Sequence, residues 1–453
     1  MKEFSPIYSD FITSTRYENL PPRVIEQTKK LVLDLIGVSL AGFKLMEFPK
    51  MVADYFEKLG GSPEATFLQK KGKFPAINAA FVNGVCAHSI DMDDGHRFSA
   101  LHPGSVVIPA AMAATEFSHA STKDFLTGVV IGYEIMIRIG KSINPSSLNR
   151  GFHATGIAGV FGAVASAASI LNLNREETIG ALGLAGLQAS GLLQVNHDVE
   201  GAKVKSLTPG RAAMSGLLSA ILAQKGAKGP LNILEGEDGF LRAFTDQVEE
   251  ESLYQGLGSE FEIEKVYIKF YAACRHTHAC IDAAFKAFQE CGRPIEEIEK
   301  IIVETYPSAI RLAGINSPTT PSAGRFSIPF SVALALIKGK AGPEEYCDET
   351  IQNPHIQELS KRIFLKVSPH WEKVYPHQRG ATVRIIDRNQ NEWVAEVPLA
   401  KGEPENPCRL EEIYQKFYSN VMLILSEPKA KKLGNMIMNL EKNDFHEFMD
   451  LLS

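Results

Sequence analysis

The amino-acid sequence predicts a mainly α-helical protein, in which a large all-helical domain carries a smaller α/β lid domain inserted before the C-terminal helices. Apolar residues recur at steps of three and four through most of the first half of the 453-residue chain. Runs of β-branched residues, which are typical of strands, become common only after about residue 260. Helical spacing then returns from residue 409 to the end. We therefore expect the large domain to comprise residues 1–265 and 400–453, and the lid to comprise residues 266–399.

The helices of the large domain are predicted from their apolar faces and their ends. The first begins at Pro21-Pro22 and ends near Gly42, since proline is favoured in a first helical turn. Its apolar residues follow a helical period. Further helices are predicted at residues 50–60, 75–90, 105–118, 122–141, 155–171, 175–190, 209–225 and 239–246.

The predicted lid mixes both kinds of element. Residues 300–306 (KIIVETY) have the composition of a strand, and residues 381–386 and 392–397 flank a polar turn, which is typical of a hairpin. Helical patterns lie between them at residues 277–291, 327–338 and 354–362. The polar segment KGEPENPC then resembles a linker back to the large domain.

Composition excludes several classes of protein. The net charge is −6 and no long basic run occurs, which argues against broad nucleic-acid binding. The six cysteines have irregular spacing, and the N-terminus has no apolar signal-peptide core. The most apolar run, residues 157–173, is shorter than the roughly 20 residues that span a bilayer. We expect a reduced, cytoplasmic protein that binds neither membranes nor nucleic acid.

A dense run of acids and imidazoles lies between two apolar helical patterns, and it forms the first candidate site. Three interpretations are open: a solvated loop, a metal site and an acid/base site. The spacing does not fit an EF-hand loop and no HExxH helix occurs, although His88, Asp91, His96 and His102 offer imidazole and carboxylate ligands that suit zinc or iron. Acid/base chemistry is favoured because a carboxylate can hold an imidazole in one tautomer. The run contains His88, Asp91, Asp93, Asp94, His96 and His102.

Two further motifs precede helices. His153 lies in GFHATG, before a helix built of small residues. Lys205 lies about one turn before a predicted helix in which Thr208 would be the N-cap and Pro209 a first-turn residue. A lysine beside the positive end of a helix is suited to binding a carboxylate. A loop histidine and a solvated lysine are the structural alternatives.

The fourth motif, KFYAACRHTHAC, lies at the predicted domain boundary. The alternation of Cys274, His276, His278 and Cys280 would suit zinc if this stretch were a strand. Thr277 instead has the features of a helix cap, which would divide these residues between a loop and a helix. The motif contains no glycine-rich phosphate loop.

Taken together, the four motifs resemble the MmgE/PrpD family over essentially the whole chain. The similar segments are AFVNGVCAHSIDMDD with LHPGS, GFHATGIAGVFGAVASAA, KSLTPGRAAMSGLLSA and IKFYAACRHTHACIDAA. Family members include 2-methylcitrate dehydratase, cis-aconitate decarboxylase and iminodisuccinate epimerase. The resemblance implies a large all-helical domain with a smaller α/β lid, a homodimer, and chemistry without an organic cofactor.

The resemblance also implies roles for individual residues. Asp91, His102, His153, Lys205 and Lys269 match the family's motif positions. The sequence departs from the decarboxylase members at two places, because Cys274 stands where they carry a histidine and Phe330 where they carry a tyrosine. Both changes argue against decarboxylation of cis-aconitate.

We therefore expect a lyase that acts on a small di- or tricarboxylate, most simply by dehydrating a 2-methylcitrate-like hydroxy acid. His102 and His153 are the candidate acid/base groups, with Asp91 orienting them or acting as the partner base. The groups expected to contact substrate are Lys205, Lys269, the helix start at Thr208, Cys274 and His278. The alternatives are an epimerase of a dicarboxylate such as iminodisuccinate, a cis-aconitate decarboxylase, a non-catalytic carboxylate-binding protein and a metal-dependent hydrolase.

Overall fold

A computed structural model describes residues 2–196 and 201–453, and it confirms a mainly α-helical fold with small sheets. Helices dominate the chain as far as residue 254. In chain order they are α1 (Phe4–Ser14), α2 (Pro22–Leu45), α3 (Glu47–Leu59), α4 (Ala76–His88), α5 (Gly104–Ser118), α6 (Thr122–Ile143), α7 (Ser146–Asn149), α8 (Ala154–Ile157), α9 (Gly159–Ile170), α10 (Arg175–Gly186), α11 (Leu207–Gln224), α12 (Phe240–Phe244) and α13 (Glu251–Tyr254).

Sheet and helix alternate in the next part of the chain. The helices there are α14 (Arg275–Cys291), α15 (Pro307–Ala313), α16 (Pro321–Gly324), α17 (Ile328–Lys338), α18 (Asp348–Gln352), α19 (Pro354–Lys361) and α20 (Pro369–Val374). Three helices close the chain: α21 (Leu410–Val421), α22 (Glu427–Met438) and α23 (Phe445–Asp450).

Two small sheets complete the fold. The short strands β1 (Gly95–His96) and β2 (Val266–Tyr267) pair antiparallel, and they join the acidic run to the start of the predicted lid. The larger sheet has the order β4-β3-β5-β6. Its strands are β3 (Ile298–Thr305), β4 (Ile363–Val367), β5 (Ala381–Asp387) and β6 (Glu392–Val397).

The predicted hairpin is confirmed. β5 and β6 pair antiparallel from Ala381 opposite Val397 to Ile386 opposite Glu392. β3 also pairs antiparallel with β5, whereas β4 lies parallel to β3 at the edge. The sequence pattern did not predict β4, whose Phe364 and Val367 are about half exposed.

Buried apolar side chains form two clusters. The first is built from α1 to α13 and includes Phe417 of α21 and Leu433 of α22, because α21 packs along α2. The second is built mainly from residues 272–400, with a few residues of α2 and of the acidic run. The exact division into a large domain and a lid stays a prediction.

No helix in the described part of the chain is both long enough and apolar enough to cross a bilayer.

Candidate functional site

The acidic run forms a buried loop between α4 and α5. α4 ends at His88, and most of the loop side chains are almost inaccessible to solvent. Asp91 has a φ of 53°, a left-handed conformation that is uncommon for residues other than glycine. The structure therefore excludes the solvated-loop alternative, since a buried loop of acids and imidazoles must satisfy its charges within the protein.

Two lysines from distant segments contact Asp91. Lys205 Nζ lies 3.1 Å from Asp91 Oδ1, and Lys269 Nζ donates to the same oxygen at 3.0 Å and to the Asp91 carbonyl at 2.9 Å. Burial raises the pKa of Asp91, but the charges of Lys205 and Lys269 outweigh it and hold the pKa well below its usual value. Asp91 is therefore ionised, and Lys269 fixes its strained backbone.

The carboxylate partner of the imidazoles is Asp93. His88 Nδ1 lies 2.8 Å from Asp93 Oδ2, and His102 Nδ1 lies 3.8 Å from the same oxygen. The His88 ring centroid is 5.0 Å from that of His102 and 6.2 Å from that of His153. Three imidazoles therefore lie close together at the loop. The sequence spacing did not show which carboxylate pairs with them, and in the structure Asp93 pairs with His88 and lies near His102.

His102 has a defined tautomer. Its Nδ1 lies 2.6 Å from the carbonyl oxygen of Asp94, which can only accept a hydrogen bond, so Nδ1 carries the proton and Nε2 carries a lone pair. Burial and the nearby Lys269 lower the pKa of His102 to about 3. The neutral imidazole is therefore the form present near neutral pH.

His153 is also a neutral imidazole. It directly precedes α8, and its backbone N–H donates to the Gly191 carbonyl. Burial, and after it the charge of Lys205, lowers the pKa of His153 well below its usual value. Its Nδ1 is buried and has no hydrogen-bond partner among the described residues.

Asp94 anchors the loop to the helices behind it. One carboxylate oxygen accepts from the Gly104 backbone N–H at 2.9 Å, and the other accepts from the Tyr133 hydroxyl at 2.6 Å. Burial raises the pKa of Asp94 to about 7, although the Tyr133 hydrogen bond opposes the shift. These bonds tie the His102 segment to α5 and α6.

One small cavity of about 80 Å³ lies at this loop. Asp91, His102, His153, Lys205, Lys269 and Cys274 all face it. Burial and the nearby Asp91 raise the pKa of Cys274, so its thiol stays protonated. The structure thus brings together six of the eight residues that the sequence analysis assigned to catalysis or substrate binding.

Thr208 and His278 do not line this cavity. Thr208 was predicted to be an N-cap, but α11 begins at Leu207, so Thr208 lies inside its first turn with its methyl group facing Gly156. The capping prediction for Thr277 is also wrong, because α14 begins at Arg275. His278 is consequently buried within the first turn of α14, where it contacts Arg275 Nη1 at 3.1 Å and the Ala273 carbonyl at 3.2 Å.

Sequence reasoning assigned no substrate-binding role to five polar residues that line the cavity: Tyr267, Arg275, His276, Tyr375 and Arg379. Arg275 is paired with Glu403 at 2.8 Å. His276 Nδ1 lies 2.5 Å from the Tyr306 hydroxyl. His276 was recognisable only as part of the alternating motif, and the sequence around Arg379 carried no signal.

A possible metal-binding group lies beside the cavity. His88, Asp93 and His102 can offer ligand atoms within 4.8 Å of one another. The set differs from the one proposed from the sequence, because His96 contacts Ser99 and Glu262, and Asp91 binds the lysines. The hydrogen bonds to His88 and His102 already account for this arrangement without an ion.

Comparison with known proteins agrees with the geometry. Residues 8–252 match the MmgE/PrpD N-terminal domain and residues 271–442 match the MmgE/PrpD C-terminal domain. The chain is 26% identical to a cis-aconitate decarboxylase of Aspergillus terreus, covering 96% of this chain and 93% of that protein. It is 25% identical to the cis-aconitate decarboxylase of Homo sapiens, with 97% and 92% covered. It is 23% identical to the 2-methylcitrate dehydratase of Salmonella typhimurium, with 93% and 91% covered. The chain therefore belongs to the MmgE/PrpD family.

Proposed function

We propose that this protein is a lyase that acts on a small di- or tricarboxylate without an organic cofactor, most simply by dehydrating a 2-methylcitrate-like hydroxy acid. The observation that carries the proposal is that His102, His153, Lys205 and Lys269 line the same cavity. Relatives along almost the full chain are named as a dehydratase and as decarboxylases of tricarboxylates, which supports the same class of reaction.

The charges of the cavity suit a polyanion. Lys205, Lys269, Arg275 and Arg379 contribute positive charge to its lining, whereas Asp91 is the acidic residue among the described lining residues. Asp91 neutralises one of the two lysines that it contacts, which leaves a positive charge for a substrate carboxylate. The same ammonium groups would stabilise the negative charge that develops when a proton is removed beside that carboxylate.

The two histidines are suited to opposite roles. His102 carries its proton on Nδ1, so its free Nε2 lone pair is the proposed general base. His153 has no acceptor for a proton on its buried Nδ1, which favours the tautomer with the proton on Nε2. We assign His153 as the general acid that protonates the departing hydroxyl group. Proton abstraction leaves His102 as an imidazolium, and protonation of the departing hydroxyl leaves His153 as an imidazolate while water is released. Transfer of one proton from His102 to His153 through water then restores both neutral rings.

Asp91 has a supporting role in this scheme. Its Oδ1 is held by both lysines, so proton abstraction is assigned to His102, whose Nε2 lone pair is free. Its contribution is to hold two ammonium groups close together in a buried site, where like charges would otherwise repel. Cys274 lines the cavity at the position where the decarboxylase members carry a histidine, which favours dehydration over decarboxylation.

The test is a substrate panel followed by NMR in deuterated water. 2-Methylcitrate, cis-aconitate, iminodisuccinate and related acids are each incubated with the protein. A dehydratase forms an alkene from the hydroxy acid, whereas an epimerase labels the recovered substrate without forming one. Release of carbon dioxide from cis-aconitate would identify a decarboxylase. The enzymatic proposal would be refuted if the protein turned over none of these acids and incorporated deuterium into none of them.

Treatment with a chelator separates the proposed mechanism from a metal-dependent one. The acid/base scheme predicts unchanged turnover after dialysis against EDTA. A loss of turnover that zinc or iron restores would instead assign His88, Asp93 and His102 to a metal ion.

A further inference from the structure

Arg379 is the least compensated cation of the cavity. Its side chain is 8% exposed, its Nη2 donates to the Arg97 carbonyl, and its buried Nε has no hydrogen-bond partner among the described residues. Within the same described residues no carboxylate lies at ion-pair distance from it. A buried guanidinium with an unsatisfied N–H group is costly unless a ligand completes its hydrogen bonds.

The acidic residue whose charge acts on Arg379 is Glu403, and its carboxylate already pairs with other arginines. Glu403 Oε1 accepts from Arg275 at 2.8 Å, and Glu403 Oε2 lies 3.4 Å from Arg97 Nη1. Arg97 also pairs with Glu405. Three arginines therefore share two carboxylates, and one positive charge is left over at Arg379.

The surroundings of Arg379 can add further hydrogen bonds. His276, Tyr267 and Tyr375 line the cavity with it, and we call these four residues the Arg379 corner. Burial and the charge of Arg379 lower the pKa of His276, so this imidazole is neutral. When the Tyr306 hydroxyl donates to His276 Nδ1, the imidazole proton lies on Nε2, where it can be donated to an anion.

We propose that the Arg379 corner is a subsite for a third carboxylate, remote from the pair of neighbouring carboxylates held near Lys205 and Lys269. The inference rests on the proposed function, and it names the residues of this chain that would distinguish a tricarboxylate from a dicarboxylate. The Lys205–Lys269–Asp91 cluster and the Arg379 corner each carry one uncompensated positive charge, so both can attract carboxylates of the same substrate. A guanidinium fork also matches a carboxylate in geometry.

The experiment compares two ligands that cannot be dehydrated. Tricarballylate has three carboxylates, and succinate has the neighbouring pair alone. Calorimetry measures the Kd of each for the wild-type protein and for Arg379→Gln. We expect wild type to bind tricarballylate at least 10-fold more tightly than succinate. We expect Arg379→Gln to weaken tricarballylate binding by about 10- to 100-fold and succinate binding by less than about 3-fold.

A matched control is available on β5. Arg384 loses the same charge when replaced by glutamine, but it lies outside the cavity, where it pairs with Glu304 and Glu392. Arg384→Gln should leave both Kd values unchanged. Arg379→Lys keeps the charge but loses the planar fork, so it should give a smaller selective loss, and it serves as the second variant if Arg379→Gln does not fold.

Three results would overturn the subsite: equal binding of both ligands by wild type, an equal loss of both ligands in the Arg379 variants, or no loss of either. Binding needs no turnover, so the two proposals fail separately. Selective tricarballylate binding that depends on Arg379, without turnover of any acid, would refute the lyase and leave the subsite standing.

Discussion

His102 and His153 each have one ring nitrogen that can reach a substrate, and their neutral forms are fixed by burial. Replacing either with alanine should lower turnover by about 100-fold or more, because general acid/base groups typically contribute that much. Initial rates on the substrate identified by the NMR panel provide the measurement. His355→Ala is the control, since His355 is exposed at the start of α19. Near-normal turnover in both cavity variants would show that the assignment is wrong.

Lys205 tests the carboxylate-binding role. Lys205→Met removes an ammonium group that contacts Asp91, so we expect kcat/KM to fall by about 100-fold, as for loss of a charged group that stabilises a developing negative charge. Lys225→Met makes the same change at the exposed C-terminal end of α11 and should have no effect. An equal loss of activity in both variants would assign the effect to the helix rather than to the cavity.

The residues of the candidate site differ in how far the sequence could reveal them. Asp91, His102, His153 and Lys205 each lie in a compact motif beside an apolar helix, so local pattern was enough to single them out. Arg379 lines the cavity only because its segment folds against the acidic loop, where its Nη2 donates to the Arg97 carbonyl, and nothing near it in the chain indicates this. The choice of Asp93 rather than Asp91 as the imidazole partner also depends on distant lysines, which engage Asp91.

At the scale of elements, the crossing of α4 and α11 depends on two glycines. A Cβ added at Gly84 would lie 2.8 Å from the Gly210 Cα and 3.2 Å from the Ser105 carbonyl oxygen. Gly84→Ala should therefore force the helices apart and lower the free energy of unfolding by about 1–3 kcal/mol. Because α11 begins two residues after Lys205, turnover should fall as well. Urea denaturation and initial rates provide the measurements.

Gly180 of α10 is the matched control for that substitution. A Cβ added there would lie 3.5 Å or more from its neighbours, which is ordinary contact. Gly180→Ala should raise the free energy of unfolding by up to about 1 kcal/mol, because alanine is the better helix former. If Gly84→Ala proved as stable as Gly180→Ala, the close approach of α4 and α11 would be wrong.

Helical spacing predicted the long helices well, and the misses have physical causes. α1 was not predicted, although Phe4, Tyr8 and Phe11 have helical spacing and are buried. The helix predicted at residues 155–171 is divided at Ala158 into α8 and α9. The sequence did not reveal this break, because the small residues on both sides of it have the composition of a continuous helix. β4 is a parallel edge strand, whose pairing with β3 is a long-range contact that its own five residues do not specify.

At the scale of the whole molecule, buried histidines link stability to pH. Burial lowers the pKa of His278 well below its usual value, and it does the same for His153 and His276. Below the usual histidine pKa of about 6.5, the unfolded chain therefore binds protons that the folded chain does not. The free energy of unfolding contributed by these groups is intact above pH 6.5 and falls as the pH falls below it. Burial raises the pKa values of Asp94 and Glu134 to about 7, so the stability contributed by these two groups falls as the pH rises from about 4 to 7. This trend opposes that of the histidines. The contribution of a single histidine is therefore best measured as the difference between wild type and a variant that lacks it.

His278 suits that measurement because it lies outside the cavity lining. Replacing it with asparagine should reduce the dependence of the unfolding free energy on pH by up to about 1.4 kcal/mol per pH unit between pH 4.5 and 6, the value for one proton. Urea denaturation at several pH values gives the slopes of wild type and variant, and His355→Asn should leave the slope unchanged because His355 is exposed. The variant is expected to be less stable at every pH, since Arg275 and the Ala273 carbonyl lose their imidazole partner, but that loss alone would not alter the slope. An unchanged slope in His278→Asn would mean that His278 takes up a proton in the folded protein, and the first turn of α14 would then not be closed to water as the structure has it.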